Sequence, residues 1–406
     1  MLQIFLGVMT AFGGFVDIGD LVANGTTGSR FGLRLAWVVG VGVIGIVLYA
    51  EMSGRVAAIT GRPVFDIIRE RLGVRFGLAN LGASFFINVL TLTAELAGLA
   101  LIVELVTGLN YLFWVPLAGI VVWLVLWKMS YSVIEHVFGL AGLFLVVFMI
   151  AVWKLHPDPG NVIHSVTHPH IPPTETAATY WYFAIGLLGA AMTPYEVFFF
   201  SSGAVEDGWT KSDLNVNRAN VYLGFPLGGI LSLAIMACAA LVFMPKGIEV
   251  GSLSQITLPV GLTVGKLGVA ALLFGMFAAI FSAAIETALS AGYTMSQYFG
   301  WQWGKFVRPR QASNFHVVVI ASILVSVALA LTTIDPIKVT EYSIVLAAAA
   351  LPLTYFPILV VANDRDYMGD KVNSRPLNVV AFIYLVLLVA VAIATIPLMI
   401  ITKGGA

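Results

Sequence analysis

The sequence predicts an all-α polytopic membrane protein, a single transmembrane domain of about eleven spans along 406 residues. Three observations carry that expectation. Hydrophobic residues make up 59% of the chain and charged residues 10%, where soluble domains run at about a quarter charged. Apolar runs of roughly 20 residues, the length that crosses a bilayer core of about 30 Å, recur throughout. Two of these runs, the first and the sixth, are interrupted by glycine or proline beside acidic residues. A formal net charge of +0 offers no attraction for nucleic acid. The single cysteine, Cys238, excludes an internal disulfide and a Cys-based metal centre. The start Met1-Leu2-Gln3 lacks the basic n-region of a cleavable leader.

The first run, about 4–27, contains the stretch GFVDIGDLVANG, where Asp17 and Asp20 stand among Gly13, Gly14, Gly19 and Gly25. A charge at membrane depth costs about 2.5–3.5 kcal/mol even on the lenient insertion scale, so such a pair marks an ion or substrate path. The structural alternative is a helix end near the interface, paired with Arg30 or Arg34. The second span, about 31–59, ends at the turn Gly61-Arg62-Pro63. An amphipathic segment over 64–76 reads as an interfacial helix. Spans three to five follow at about 78–107, 111–129 and 132–154. Residues 157–176 form a polar, proline-rich loop. The sixth span, about 178–203, carries GLLGAAMTPYE, in which Pro194 removes a backbone donor and breaks the helix. Spans seven to eleven lie at about 219–244, 268–299, 315–334, 340–362 and 378–401.

Fourteen of the 21 Lys and Arg residues fall in one alternate set of connections and seven in the other. The positive-inside rule then places the N-terminus in the cytoplasm and the C-terminus outside, in a cell membrane. Interrupted spans one and six are five apart, as two inverted repeats (about 4–154 and 178–362) with an extra helix at 378–401 require. Such paired interruptions point to a transporter's binding site.

Asp17, Asp20 and Glu196 with the Thr193 hydroxyl and a freed Ala190 carbonyl make an all-oxygen set, suited to a hard divalent cation such as Mg²⁺ or Mn²⁺. For Glu196 the alternative is a gating contact or ion pair. Met192, a soft thioether, reads as packing rather than as a ligand. Glu95 in LTLTAELAG is either a proton relay or a helix-packing group, and Glu286 in SAAIETALSAG poses the same choice, tilted to packing or gating. Glu104, Glu135 and Glu341 lie near span ends. His156, His164, His168 and His170 lie in or beside the 157–176 loop, where a solvated surface is the commoner explanation than a metal-collecting one. No nucleophile–base pair or cofactor motif suggests an enzyme, and the divalent cation enters as substrate, not cofactor.

These residues resemble the Nramp family of divalent metal transporters, within the superfamily of LeuT-like transporters with broken helices 1 and 6. GFVDIGDLVANGTTGSRFGLRLAW is similar to the family's first helix, GLLGAAMTPYEVFFFSS to its sixth, and NDRDYMGDKVNSRPLN to the loop before its eleventh. The resemblance implies Asp17 and the Ala190 carbonyl as ligands. The chain diverges at several family positions. The Asp-Pro-Gly-Asn motif reads Asp17-Ile18-Gly19-Asp20, the Met ligand is Thr193, the His after the proline is Tyr195, and the next Asn is Glu196. Glu95 matches a retained acid, while the proton-accepting Asp one turn earlier is Leu92. A hydroxyl for a thioether and a carboxylate for an amide harden the site; the replaced Met is similar to the Nramp-related magnesium transporters, whereas the second carboxylate and Glu196 are not features assigned to them. The resulting expectation is alternating-access movement of Mg²⁺ or Mn²⁺ into the cytoplasm, without proton coupling, by a monomer in the lipid bilayer. Glu95, Tyr195 and Glu286 stand as candidate proton or gating residues. The alternatives are a proton-coupled Mn²⁺/Fe²⁺ symporter, or an organic-cation or amino-acid transporter of the same superfamily.

Overall fold

A computed structural model describes residues 15–128, 137–138, 140–305, 307–332 and 335–405. Gly13, Gly14 and Glu135 lie outside the described residues. Every regular element among the described residues is helical. Among the described residues nine helices are long and apolar enough to cross a membrane, and they match the expected spans two to four and six to eleven. Of the first span the described helix is Ile18–Phe31. The fifth appears as Leu140–Lys154, which turns by 111° into the helix Pro159–Thr167.

That last helix corrects the expectation of an irregular 157–176 loop. Asp158 caps it, accepting from the Gly160 amide at 3.1 Å, and Pro159 occupies its first turn, where its missing N–H costs nothing. A second helix, Leu253–Thr263, begins at a reciprocal cap between Ser252 and Gln255 in the connection after the seventh span. The interfacial helix is shorter than expected, Val64–Leu72, and the third span starts at Val74. Gly73 between them takes φ +82°, a backbone region that glycine enters without a Cβ clash.

Burial orders the bundle. The sixth span (Ala177–Glu206) is 89% buried over its apolar window, against 22% for the fourth (Tyr111–Lys128) and eleventh (Arg375–Ile401). The interrupted helix is thus at the centre, with the fourth and eleventh at the rim. The half-helix Ile18–Phe31 packs along the seventh span and the third span along the eighth. Close approach comes from small residues, as is usual where lipid offers no hydrophobic drive. A Cβ on Gly28 would lie 2.3 Å from the Met236 carbonyl oxygen, and one on Gly189 would lie 2.1 Å from that of Ile344.

At one end of the bundle the Glu51–Arg55 ion pair of the second span is buried, and Arg55 donates to the Lys371 carbonyl and to Asn373 Oδ1. These bonds fasten the 363–378 connection across the second span. At the other end Arg30 donates to both oxygens of Glu175, at 2.8 and 3.1 Å, and to the Gly405 carbonyl at 2.7 Å. Arg34 donates to His170 Nε2 at 3.0 Å, so this histidine serves to dock its loop.

Candidate functional site

The first span breaks at Val16-Asp17, where the chain is non-helical before Ile18 opens the half-helix. Asp17 is its N-cap. Its Oδ1 accepts from the Asp20 amide at 2.8 Å, satisfying one of the orphan donors of a helix start. Its other oxygen, Oδ2, faces the sixth span and accepts from the Tyr195 hydroxyl at 3.4 Å. Ile18 fits against Gly98 of the third span, which brings Glu95, one turn earlier, beneath the break.

The sixth span breaks at Met192-Thr193, between the helices Ala177–Ala191 and Pro194–Glu206. Pro194 has no N–H, so the Ala190 carbonyl loses its normal partner four residues on. The Tyr355 hydroxyl of the tenth span donates to the Met192 carbonyl at 3.5 Å. Thr193 Oγ1 donates to Glu196 Oε2 at 3.2 Å, and in the eighth span Ser282 Oγ donates to Glu286 Oε1 at 3.0 Å. The Met192 sulfur is packed against Gly45 of the second span.

Tyr195 links the two breaks through its hydroxyl bond to Asp17, and Glu95, Glu196 and Glu286 are the other carboxyl groups near enough to act on it. Asp17, Asp20 and Thr193 are each less than 5% exposed, and Glu95 is fully buried. Among the described residues no Lys or Arg lies within ion-pair distance of Asp17, Asp20, Glu95 or Glu196. Buried carboxylates without a cation are costly, and nearby they repel one another. Arg30 and Arg34, the alternative partners for the Asp pair, are turned to Glu175 and His170 instead.

Asp20 is placed differently from the rest. Its Oδ1 accepts from Asn24 Nδ2 at 2.9 Å and its Oδ2 from Ser232 Oγ of the seventh span. It therefore faces the seventh span, while Asp17 faces the sixth. Among the described residues no three His, Cys, Asp or Glu side chains converge closely enough to hold an ion.

Sequence reasoning missed the groups that come from spans without a break: Ser232, Tyr355 and Ile344. The Ile344 side chain of the tenth span lies where a Cβ on Gly19 would be 2.7 Å away, and it also touches Gly186, so it wedges between the two broken helices. Beyond it, toward the Arg30 end, lies a narrow pocket bounded by Thr26, Phe183, Glu341 and Ile344, and a larger cavity shares the first three of these residues. That cavity, of about 230 Å³, is lined by Thr26, Arg30, Glu249, Asp335, Lys338 and Glu341. No motif in the sequence marks an isoleucine as a wedge.

Comparison with known proteins adds to this picture. The family model described as natural resistance-associated macrophage protein-like (Nramp) matches residues 7–397. A divalent metal cation transporter MntH from Chromohalobacter salexigens is 24% identical over 396 residues, covering 93% of this chain and 86% of its own. The MntH of Erwinia tasmaniensis is 26% identical over 375 residues, covering 89% and 86%. Among solved structures, a manganese transporter of Eremococcus coleocola superposes with a TM-score of 0.68 at 18% identity, covering 96% of this chain and 85% of that one. A nucleobase-cation-symport-1 family transporter in a closed conformation gives 0.64 at 17% identity, covering 98% and 92%. At these identities the structural matches show the fold: the architecture of LeuT-like transporters with interrupted helices.

Proposed function

The chain belongs to the Nramp family, whose members are metal transporters and not enzymes, and on that premise we propose that it moves a divalent cation, Mn²⁺ or Mg²⁺, across the plasma membrane into the cytoplasm by alternating access. One observation supports this reading above the others: Asp17, Glu95, Glu196 and Glu286 gather around Tyr195, with no basic residue in ion-pair distance of the first three among the described residues. A divalent cation supplies the missing positive charge. Asp17 is its first ligand, at the N-terminus of a half-helix, with the Ala190 carbonyl and the Thr193 hydroxyl from the opposing break and Glu196 beside them. These are oxygen donors, which favour hard cations over soft ones. The relatives named as MntH and as a manganese transporter are in keeping with Mn²⁺; the oxygen-only ligand set accommodates Mg²⁺ as well, particularly with part of its hydration shell kept.

In this reading the N-terminus is cytoplasmic, the cavity beside Arg30 opens outward, and the two halves of the chain, about 4–154 and 178–362, rock about the site. The Arg30–Glu175 contact and Ile344 then close the outer route. Transport follows the electrochemical gradient of the ion. Proton coupling is the second reading, favoured by the complete burial of Glu95, with Glu95 or Glu196 carrying the proton past Tyr195 and Glu286.

The test is uptake of Mn²⁺ and Mg²⁺ into vesicles containing the purified protein. Asp17→Ala abolishes influx of both ions if the reading holds; unchanged influx would show it to be wrong.

A further inference from the structure

Asp20 occupies the position where the family's first-helix motif has an asparagine, yet its carboxylate is turned from the site. Two bonds hold the carboxylate, and a third ties Asn24 to the Asp20 backbone. Asn24, one turn further along the half-helix, donates from Nδ2 to Asp20 Oδ1 at 2.9 Å and to the Asp20 carbonyl, also at 2.9 Å. Ser232 of the seventh span donates from Oγ to Asp20 Oδ2 at 2.5 Å. Asp20, Asn24 and Ser232 are at most 1% exposed, so these bonds lie out of reach of bulk solvent.

Each holding group has a second acceptor within reach. Ser232 has one hydroxyl proton and two oxygens to give it to, because the Gly228 carbonyl of its own helix lies 3.2 Å away. Asn24 likewise keeps the Asp20 backbone carbonyl whichever way the carboxylate turns. Releasing the carboxylate therefore leaves neither donor stranded in the protein interior, the outcome that makes breaking a buried hydrogen bond expensive. The helices need not move for the release. The half-helix is locked to the seventh span by the close approach of Gly28 to the Met236 carbonyl. Rotation of one side chain carries Asp20 from the seventh span toward Asp17, three residues back on the same half-helix.

We propose that Ser232 is a positioning residue for metal selection, holding Asp20 in reserve until an ion of sufficient charge density draws its carboxylate onto the site. This inference rests on the metal-transport reading above. The bound ion competes with the Ser232 and Asn24 bonds for the same oxygens, so these bonds weaken binding and ease release. An ion that draws Asp20 weakly meets a site with Asp17 as its sole first-span carboxylate.

The experiment is calorimetric titration of the purified full chain with Mn²⁺ in wild type, Ser232→Ala, Ser232→Thr, Asp20→Asn and the Asp20→Asn/Ser232→Ala double variant. Removing a hydrogen bond to a charged group shifts the equilibrium by about tenfold, so Ser232→Ala tightens Mn²⁺ by about that factor, while Ser232→Thr, which keeps the hydroxyl, stays at the wild-type value. In the Asp20→Asn background the same alanine change moves affinity less than about twofold, since the competing carboxylate is absent. A shift of equal size in both backgrounds, or weaker binding from Ser232→Ala with no rescue by threonine, overturns the proposal and leaves the metal reading standing. Failure of wild type to bind Mn²⁺ overturns both. Should Ser232→Ala not be recovered folded, Ser232→Cys carries the same comparison, because a thiol is a weaker donor.

Discussion

Replacing Asp17 by asparagine separates the charge of the site from the fold of the half-helix. The side chain at this position does two things: Oδ1 caps the Asp20 amide at 2.8 Å, and Oδ2 faces Tyr195 across the two breaks. Asparagine caps a helix about as well as aspartate and fills nearly the same volume, so Asp17→Asn costs less than about 0.5 kcal/mol in stability. The charge is not replaced. Removing one partner of a buried charge pair costs about 3–5 kcal/mol, which is roughly 150- to 4,000-fold in affinity at 1.4 kcal/mol per decade. Glu196 and Glu95 remain nearby to attract the ion, so the low end applies, and Mn²⁺ affinity falls about 100-fold. Asp17→Ala loses the same attraction and the cap too, adding about 1 kcal/mol of lost stability. Calorimetry with Mn²⁺ and thermal unfolding in detergent, run on both variants, read the two effects independently. A folded Asp17→Asn protein that binds Mn²⁺ within threefold of wild type would refute the assignment of Asp17 as the principal ligand.

Other consequences follow from contacts away from the ion. Gly28→Ala places a Cβ 2.3 Å from a backbone oxygen that no side-chain rotation can move, and overpacking of this kind costs about 1–3 kcal/mol; thermal unfolding should show a lowered midpoint, and an unchanged one would mean the half-helix is not locked to the seventh span. On the interfacial helix, hydrogen bonding from Arg62, with a smaller contribution from the Tyr367 hydroxyl, holds the Glu70 carboxyl below its ordinary value. A depressed carboxylate stabilises the fold above its unfolded value and loses that contribution as pH falls through the folded one. The stability difference between wild type and Arg62→Gln is therefore present at pH 6 to 7 and shrinks below about pH 4.5. It stays under about 1 kcal/mol, because both side chains are half exposed and screened by salt. Chemical unfolding across that pH range measures it.

The membrane character, the spans that the described residues show and the two breaks are local properties, and the sequence by itself determined them. Carboxylates in an apolar run and a proline without an N–H act wherever the chain goes, so Asp17 and the Thr193-Pro194 break were readable as they stood. The helix at Pro159–Thr167 had its signals in Asp158 and Pro159 too, but the polar composition of 157–176 outweighed them. Facing was another matter. Asp17 and Asp20 are three residues apart, and only the packing of the half-helix against the seventh span sends one carboxylate to Tyr195 and the other to Ser232. Glu95, Glu196 and Glu286 come from three spans, and their gathering depends on how those helices cross. Ile344 becomes a wedge because Gly19 and Gly186 leave room for it on both broken helices. A helix's periodicity tells which residues share a face; the neighbour that face meets is set by the whole bundle, and there the tertiary structure alone decided.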